Sequence, residues 1–279
     1  MSNKPKTITT IKQMKEQGEP ITMITAYDVA MARNVNEAGI DMILVGDSVG
    51  NVMLGYESTL PVTMDEMIHH TKAVMRGNST ALVVADMPFM SYQADMAEAM
   101  HNAGRFLKET GCTAVKLEGG QEVAPLIKKL TTAGIPVVAH IGLTPQSVNQ
   151  LGGFKVQGKD MEAAQQLIDD AKALEEAGAF ACVLECVPAA LATKVTQSLK
   201  TMVTIGIGAG NGCDGQVLVC NDLLGVSTGL SPKFVKKYAN LHDITVNAVK
   251  DYIADVKSRE FPAEEHTFKI DDSVLDKLY

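Results

Sequence analysis

The feature that most constrains the fold is a phrase that recurs four times, in which a helical segment ends at a glycine and a short apolar strand follows. The four copies read NEAGIDMILVGDS, KETGCTAVKLEGG, TTAGIPVVAHIGL and EEAGAFACVLECVP, with their junctions at Gly39, Gly111, Gly134 and Gly178. Glycine is favoured where a helix ends in the left-handed conformation and the chain turns into the next element. The repeat therefore predicts that helices and strands alternate along the chain.

Continuous apolar runs, typical of strands buried on both faces, predict eight strands. Thr63 and Glu66 have the spacing of a capping box at a helix start, and Asp160 is a candidate N-cap for a helix over 160–178. Eight strands with intervening helices in about 250 residues favour a (β/α)8 TIM barrel, with a doubly wound sheet as the alternative. The predicted strands lie near 21–27, 42–47, 81–86, 114–118, 135–140, 181–185, 202–207 and 216–220.

The chain contains no linker that would divide it, so we expect one barrel domain over residues 1–279. Residues 1–20 form an N-terminal segment, and 232–257 are predicted to form an additional C-terminal helix. The tail, 258–279, has no clear periodicity, which is compatible with docking on a neighbouring subunit or with mobility.

Composition excludes several classes of protein. The net charge of −8 argues against nucleic-acid binding, because neutralising phosphates requires clustered Lys and Arg. Five cysteines, an odd number without a CxxC pair, predict free thiols in a reducing compartment. No apolar run approaches the length of a membrane span. We therefore expect a cytoplasmic protein without nucleic-acid or membrane partners.

Ionisable side chains lie at the ends of five successive predicted strands, which is where barrel enzymes build their active sites. On strand four, Lys116 and Glu118 point to one face and Leu117 to the other, because strand side chains alternate. The full set is Asp47 and Ser48 after strand two, Asp86 on strand three, Lys116 and Glu118 on strand four, His140 on strand five, and Glu185 on strand six.

Each of these residues alone has a structural explanation. Asp47 or Asp86 would cap a helix, His140 would be a hydrogen-bonded core residue, and Glu118 would pair with Lys116. Together they favour a functional site, because charges beside hydrophobic strand ends are costly to desolvate without a partner or a metal ion.

The chemistry of this set points to a metal-assisted reaction. Asp47, Asp86 and Glu118 supply the hard oxygen ligands that Mg²⁺ prefers. Lys116 would face a substrate anion, so a chelating 2-oxo acid suits the site, and the metal would stabilise an enolate at the adjacent carbon. Glu185, which is not needed as a ligand, is the candidate base.

Three glycine-rich loops leave alternatives open. Residues 50–63 and 150–160 are candidate lids or ordinary surface loops. Residues 206–215 follow strand seven, where barrels often bind phosphate, although their glycines also suit a tight turn. The alternatives left open are a Mg²⁺-dependent aldolase or lyase acting on another 2-oxo acid, a flavin-dependent oxidoreductase that uses the 206–215 loop, and a non-catalytic oligomeric scaffold.

Many motifs in order resemble those of the ketopantoate hydroxymethyltransferase family, from about residue 21 to residue 268. They read TAYD, VGDSVGNVMLGY, STLPVTMDEM, VADMPF, VKLEGG, AHIGLTPQ, LECVP, GIGAG, CDGQVLV and FPAEEHTF. The resemblance implies a (β/α)8 barrel that assembles as a homo-oligomer, expected to be a decamer. It also implies transfer of a hydroxymethyl group from 5,10-methylenetetrahydrofolate to 3-methyl-2-oxobutanoate, giving 2-dehydropantoate in pantothenate and coenzyme A biosynthesis.

By motif, the resemblance also assigns roles to the residues at the strand ends. It implies one Mg²⁺ per subunit, with ligands Asp47, Asp86 and Glu118. The contacts to the oxo acid fall on Asp47, Ser48, Asp86 and Lys116, and the proton acceptor is Glu185. Lys116 and His140 are further candidate catalytic residues, and the role of His140 carries over less closely.

Overall fold

The computed structural model describes residues 4–229 and 232–278, which contain a closed barrel of eight parallel strands in sequential order. Each strand pairs with the next, and β1 pairs with β8 to close the barrel. The (β/α)8 TIM barrel prediction is therefore confirmed. The strands are β1 (Ile21–Thr25), β2 (Met42–Val45), β3 (Leu82–Asp86), β4 (Ala114–Glu118), β5 (Val137–Gly142), β6 (Ala181–Glu185), β7 (Val203–Ile207) and β8 (Gly215–Leu218).

Helices precede, connect and follow the strands, although within the described residues β7 and β8 are joined by 208–214 without a helix. A π-helical turn at Phe106–Thr110 continues the fifth helix, and 3₁₀ turns occupy Gln121–Val123, Pro145–Ser147 and Glu264–His266. The α-helices are α1 (Ile8–Gln17), α2 (Val29–Glu37), α3 (Val49–Val52), α4 (Met64–Gly77), α5 (Met96–Arg105), α6 (Ala124–Thr132), α7 (Val148–Leu151), α8 (Met161–Glu176), α9 (Ala189–Ser198), α10 (Cys220–Leu223), α11 (Leu241–Ser258) and α12 (Asp272–Leu275).

Strand alternation produces two hydrophobic cores. Side chains such as Val115 and Leu117 face outward and pack in the layer between strands and helices. Side chains such as Met42 and Val183 face inward and fill the barrel, where Ile11 and Met14 of α1 join them. Because α1 precedes β1, it packs at the amino-terminal end of the barrel and leaves the carboxyl end free for a site.

The local signals at the helix ends agree with the structure. Thr63 and Glu66 form the predicted capping box of α4, and Asp160 accepts a hydrogen bond from the Ala163 N–H at the start of α8. The four junction glycines have positive φ angles of 85°, 76°, 86° and 99°, at Gly39, Gly111, Gly134 and Gly178.

The predicted C-terminal helix was wrong at its start, because α11 begins at Leu241 and not at residue 232. The backbone N–H groups of Tyr238 and Leu241 donate to the carbonyls of Leu223 and Leu224, at 2.8 and 3.0 Å. These bonds hold the segment before α11 against α10 in an irregular conformation. Strand boundaries differ by a few residues: β5, for example, extends to Gly142, beyond the predicted 135–140.

The C-terminal region is much more exposed than the barrel. Helix α11, all of which lies in the described part of the chain, buries none of its residues. Beyond it, the only helical elements among residues 259–278 are the turn at 264–266 and α12. The five cysteines, all described, are free thiols as predicted. Among the described residues, no helix is both long and apolar enough to cross a membrane. The single-domain organisation stays a prediction.

Candidate active site

The inward-facing positions of four neighbouring strands change from apolar to ionisable as each strand approaches its carboxyl end. On β3, Leu82 and Val84 precede Asp86, and on β6 Val183 precedes Glu185. A cavity of about 810 Å³ opens above this layer. All the predicted site residues line it: Asp47, Ser48, Asp86, Lys116, Glu118, His140 and Glu185. The structure therefore brings the whole predicted set together, while the role of each residue stays a prediction.

Lys116 and Asp86 form an ion pair at the floor of this cavity. The two residues are register partners on β4 and β3, and they are 3% and 2% exposed. Burial alone would lower the pKa of Lys116, but the carboxylates of Asp86, Glu118 and Asp47 outweigh it and raise the pKa. Burial raises the pKa of Asp86, which Lys116 partly offsets. The ammonium group is therefore held in its charged form.

Asp47 lies just beyond β2, beside the other carboxylates. Its backbone N–H donates to Asp86 Oδ2 at 3.0 Å, which ties the end of β2 to the end of β3. Burial, together with the negative charges of Asp86 and Glu118, raises the pKa of Asp47 to about 8. The three crowded carboxyl groups therefore repel one another when ionised, and a further cation beside them would favour the charged form of Asp47.

His140 lies between two carboxylates on the neighbouring strands. Its Nδ1 is 3.4 Å from Glu118 Oε1 and its Nε2 is 3.2 Å from Glu185 Oε2. Burial and Lys116 both act to lower the pKa of His140, but Glu118 and Glu185 outweigh them and raise it to about 9. Burial acts to raise the pKa of Glu118, and the contact with His140 is the main cause that lowers it. His140 is therefore a cationic link between Glu118 and Glu185.

The backbone at the end of β5 makes room for Glu185. Gly142 is the register partner of Glu185 and has a φ angle of 93°. A Cβ atom at position 142 would collide with the Glu185 carbonyl and lie 2.8 Å from Val187 Cγ2. Only glycine therefore allows β5 to pass this close to the segment that carries the candidate base.

The glycine-rich loops differ in their relation to the cavity. Both candidate lids reach the cavity, because Ser58 and Thr59 of the 50–63 loop and Phe154 and Val156 of the 150–160 loop line it, while their closure stays a prediction. In the 206–215 loop, Cβ atoms at the glycines would meet this chain's own side chains. Gly208 faces Phe234, Gly210 faces Ala189, and Gly212 faces Thr193. Close internal packing explains these glycines without a phosphate ligand.

Three residues of the site were not predicted. Tyr27, within the TAYD motif, shares a 2.8 Å hydrogen bond with Ser48 Oγ. Gln146, within AHIGLTPQ, donates hydrogen bonds to the carboxylates of Asp47 and Glu118. Tyr92 accepts a hydrogen bond from the backbone N–H of Glu118. They lie in loops or carry uncharged groups, so a search for ionisable residues at strand ends does not find them.

The predicted ligands Asp47, Asp86 and Glu118 supply the oxygen chemistry of a magnesium site. Among residues 4–229 and 232–278, however, no three His, Cys, Asp or Glu side chains are already arranged to hold a metal ion. Asp86 Oδ1 is paired with Lys116, and Glu118 Oε1 faces His140. The metal assignment therefore stays a prediction, supported by the repulsion from Asp86 and Glu118 that helps to raise the pKa of Asp47.

Solved structures with the same fold include a putative phosphonomutase from Burkholderia cenocepacia. It is 14% identical, has a TM-score of 0.60 and covers 90% of this chain and 99% of its own. Phosphonopyruvate hydrolase, solved with oxalate and Mg²⁺, is 12% identical with a TM-score of 0.60, covering 99% of this chain and 94% of its own. Fold and site together define an enzyme of the (β/α)8-barrel class with a buried charged centre at the carboxyl ends of its strands.

The family model for ketopantoate hydroxymethyltransferase matches residues 5–264. The chain belongs to this family. A relative from Carboxydothermus hydrogenoformans, named 3-methyl-2-oxobutanoate hydroxymethyltransferase, is 60% identical over 98% of this chain and 99% of its own length. A relative of the same name from Syntrophus aciditrophicus is 62% identical over 94% of this chain and 96% of its own. The resemblance found in the sequence motifs is therefore confirmed.

Proposed function

We propose that this enzyme transfers a hydroxymethyl group from 5,10-methylenetetrahydrofolate to 3-methyl-2-oxobutanoate, giving 2-dehydropantoate on the route to pantothenate and coenzyme A. The observation that carries the proposal is the convergence of Asp47, Asp86, Lys116, Glu118 and Glu185 in one cavity. This arrangement occurs in a chain about as long as its relatives and 60% identical to one that bears the name of this activity.

One Mg²⁺ per subunit fits the acidic centre. Asp47 and Asp86 would be ligands, with Glu118 beside them as the third predicted ligand. A divalent cation would offset the repulsion that, with burial, raises the pKa of Asp47 to about 8. When bound, the ion would withdraw electrons from the keto and carboxylate oxygens of the oxo acid and so acidify its C3 proton.

Lys116 and Ser48 are the proposed contacts to the oxo acid. The ammonium group of Lys116 lies among three carboxylates on the cavity floor, so it is held charged and is suited to attract the substrate carboxylate. The hydroxyl of Tyr27 shares a 2.8 Å hydrogen bond with Ser48 Oγ and so restricts the position of the serine hydroxyl. Asp47 and Asp86 complete this contact set.

Glu185 is the proposed base that removes the C3 proton. It is half-buried, lines the same cavity and is not needed as a ligand, so its carboxylate is available to the substrate. His140, at 3.2 Å from Glu185 Oε2, orients that carboxylate and balances its charge. Loss of the proton leaves an enolate of the oxo acid, whose C3 then attacks the one-carbon unit of the folate. Water supplies the hydroxyl oxygen as the last carbon–nitrogen bond to the folate breaks, and the proton from C3 and one from water go to the folate nitrogens, which leaves tetrahydrofolate.

The outer cavity provides space for the second substrate. The oxo acid has five carbons, whereas the cavity of about 810 Å³ extends from Lys116 to Phe154 and Lys233 at its mouth. Aromatic and cationic side chains at the mouth suit a ligand with an aromatic ring system and carboxylates.

A homo-oligomer, expected to be a decamer, accounts for the exposed apolar residues of the C-terminal region. Ile244, Tyr252 and Phe261 are 60%, 57% and 38% exposed, and an apolar surface of this kind is typical of a protein interface. A cytoplasmic location completes the proposal, which includes no nucleic-acid or membrane partner.

Proton NMR of the product tests this function. The purified enzyme is incubated with 3-methyl-2-oxobutanoate and Mg²⁺, with and without 5,10-methylenetetrahydrofolate. A new hydroxymethyl signal that requires the folate is expected. Carbon–carbon bond cleavage or condensation without folate would instead identify a Mg²⁺-dependent aldolase or lyase, and no reaction in either mixture would contradict the proposed substrate.

A further inference from the structure

Gln146 connects the acidic groups at the ends of two non-adjacent strands. It lies in the 3₁₀ turn after β5 and is 5% exposed. Its side-chain Nε2 donates to Asp47 Oδ2 at 2.9 Å, and its backbone N–H donates to Glu118 Oε2 at 3.0 Å. A single residue therefore sets the spacing of two carboxylates that would otherwise repel each other.

The orientation of the Gln146 amide is determined by its other partners. Its second Nε2 hydrogen bond goes to the Met87 carbonyl at 3.0 Å. Its Oε1 accepts from the Tyr92 hydroxyl at 2.8 Å and from Gln93 Nε2 at 3.1 Å. With the amide reversed, a carbonyl oxygen would face the Asp47 carboxylate and the Met87 carbonyl, so the network permits one orientation.

Tyr92 connects the Gln146 amide to the backbone of Glu118. The Tyr92 hydroxyl has one hydrogen, which the shorter contact assigns to Gln146 Oε1, and it accepts the Glu118 backbone N–H at 3.1 Å. Tyr92 is itself buried, at 5% exposure. The same hydroxyl therefore anchors the backbone of Glu118 and the amide that holds Asp47.

We propose that Gln146 is a positioning residue that holds Asp47 in place for a divalent cation, with Tyr92 fixing the direction of its amide. This inference rests on the proposed function, which assigns the cation to Asp47 and its neighbours. Groups that hydrogen-bond to metal ligands fix the direction of the ligand oxygens, and their loss weakens metal affinity. The backbone N–H of residue 146 persists in any substitution except proline, so a side-chain change keeps the contact to Glu118. It removes the amide's contact to Asp47 together with those to Met87, Tyr92 and Gln93.

The experiment measures Mn²⁺ affinity, from the electron paramagnetic resonance signal of free Mn²⁺, for the full-length enzyme without substrates. Gln146→Met keeps the chain length and removes the amide, and Tyr92→Phe removes only the hydroxyl. Asn78→Leu is the matched control, because its amide also makes two hydrogen bonds, to the backbone of Ala81 at the opposite end of β3.

The expected result is a Mn²⁺ dissociation constant about 10- to 100-fold higher for Gln146→Met. Tyr92→Phe should give a smaller increase, and Asn78→Leu should bind as the unaltered enzyme does even if its melting temperature falls. The Tyr92→Phe result decides the matter if Gln146→Met does not fold.

Two results would overturn the inference without touching the proposed function: unaltered Mn²⁺ affinity in both site variants, or equal weakening in all three variants. A different result would overturn the metal site itself, and the positioning role with it. That result would be the absence of Mn²⁺ binding by the unaltered enzyme, or a Mn²⁺ affinity that Asp47→Asn leaves unchanged.

Discussion

Asp86 and Lys116 are register partners on neighbouring strands, and their side chains form an ion pair that is almost completely buried at the floor of the cavity. Lys116 is also the cation that faces the negative charges of Asp47 and Glu118. The strand positions that build the barrel thus determine the electrostatic balance of the site.

Replacement of Lys116 by Met should lower the free energy of unfolding by about 3–5 kcal/mol, because it leaves the buried carboxylate of Asp86 without its counter-charge. Asp86→Asn in the same chain should restore part of the loss. Denaturant unfolding of the two single variants and the double variant measures this coupling. Strictly additive effects would show that the two groups do not act as a pair.

Gly142→Ala should both destabilise the enzyme and displace Glu185, because the added Cβ collides with the Glu185 carbonyl. Gly134→Ala is the matched control: its φ angle of 86° is similar, but a Cβ there has no heavy atom within 4 Å. The control should lose about 1–2 kcal/mol from backbone strain alone, and Gly142→Ala about 1–3 kcal/mol more from overpacking. Equal losses in thermal unfolding would contradict the close approach at Gly142.

How far the sequence predicts this molecule depends on the kind of signal. The four glycine-to-strand junctions and the apolar runs identify the barrel, because both reflect local backbone preference and burial. Strand alternation places Lys116 and Glu118 together on the inner face and Leu117 on the outer face, as the structure has them. The ionisable set at the strand ends follows from the same reasoning.

What the sequence could not give depends on contacts between distant segments. The irregular segment before α11 is held by bonds from Tyr238 and Leu241 to residues near α10, and no local preference reveals them. Gln146 and Tyr92 are uncharged loop residues whose importance appears only once Asp47 and Glu118 lie beside them. The glycines of 206–215 resemble a phosphate-binding loop in sequence, but in the structure Gly208 packs against Phe234 and Gly212 against Thr193.

Glu175 makes a contribution to stability that should depend on pH. Its carboxylate accepts hydrogen bonds from the N–H groups of Lys200, Thr201 and Met202, at 2.9, 2.7 and 2.8 Å. Burial acts to raise its pKa, but these donors outweigh burial and lower the pKa below its ordinary value of 4.5. A lowered folded-state pKa stabilises the fold above pH 4.5, and this contribution is lost as the pH falls through the folded-state value.

Glu175→Gln should therefore lower the free energy of unfolding by about 1 kcal/mol at pH 7, which is the difference between a charged and a neutral hydrogen-bond acceptor. The loss should become progressively smaller as the pH falls below 4.5. Unfolding measured at several pH values checks the slope. The exposed neighbour Glu176 provides the control Glu176→Gln, which should change little. A pH-independent loss in Glu175→Gln would rule out the ionised carboxylate as its cause.

His140→Gln should slow C3 proton exchange of 3-methyl-2-oxobutanoate by about 10- to 100-fold, the cost of a base that is displaced from its reacting geometry. The reason is that His140 Nε2 no longer orients Glu185 at 3.2 Å. Isothermal titration with the oxo acid should show little change in affinity. If affinity falls as much as exchange, His140 contributes to substrate binding and not to orientation of the base.

The most direct test of the account is proton exchange at C3 of 3-methyl-2-oxobutanoate in D₂O, followed by proton NMR with Mg²⁺ and without folate. The unaltered enzyme should remove the C3 signal in a metal-dependent way. Glu185→Gln should bind the oxo acid but exchange the proton at least about 100-fold more slowly. Undiminished exchange by Glu185→Gln would contradict its role as the base, and no exchange by the unaltered enzyme would contradict the enolate mechanism.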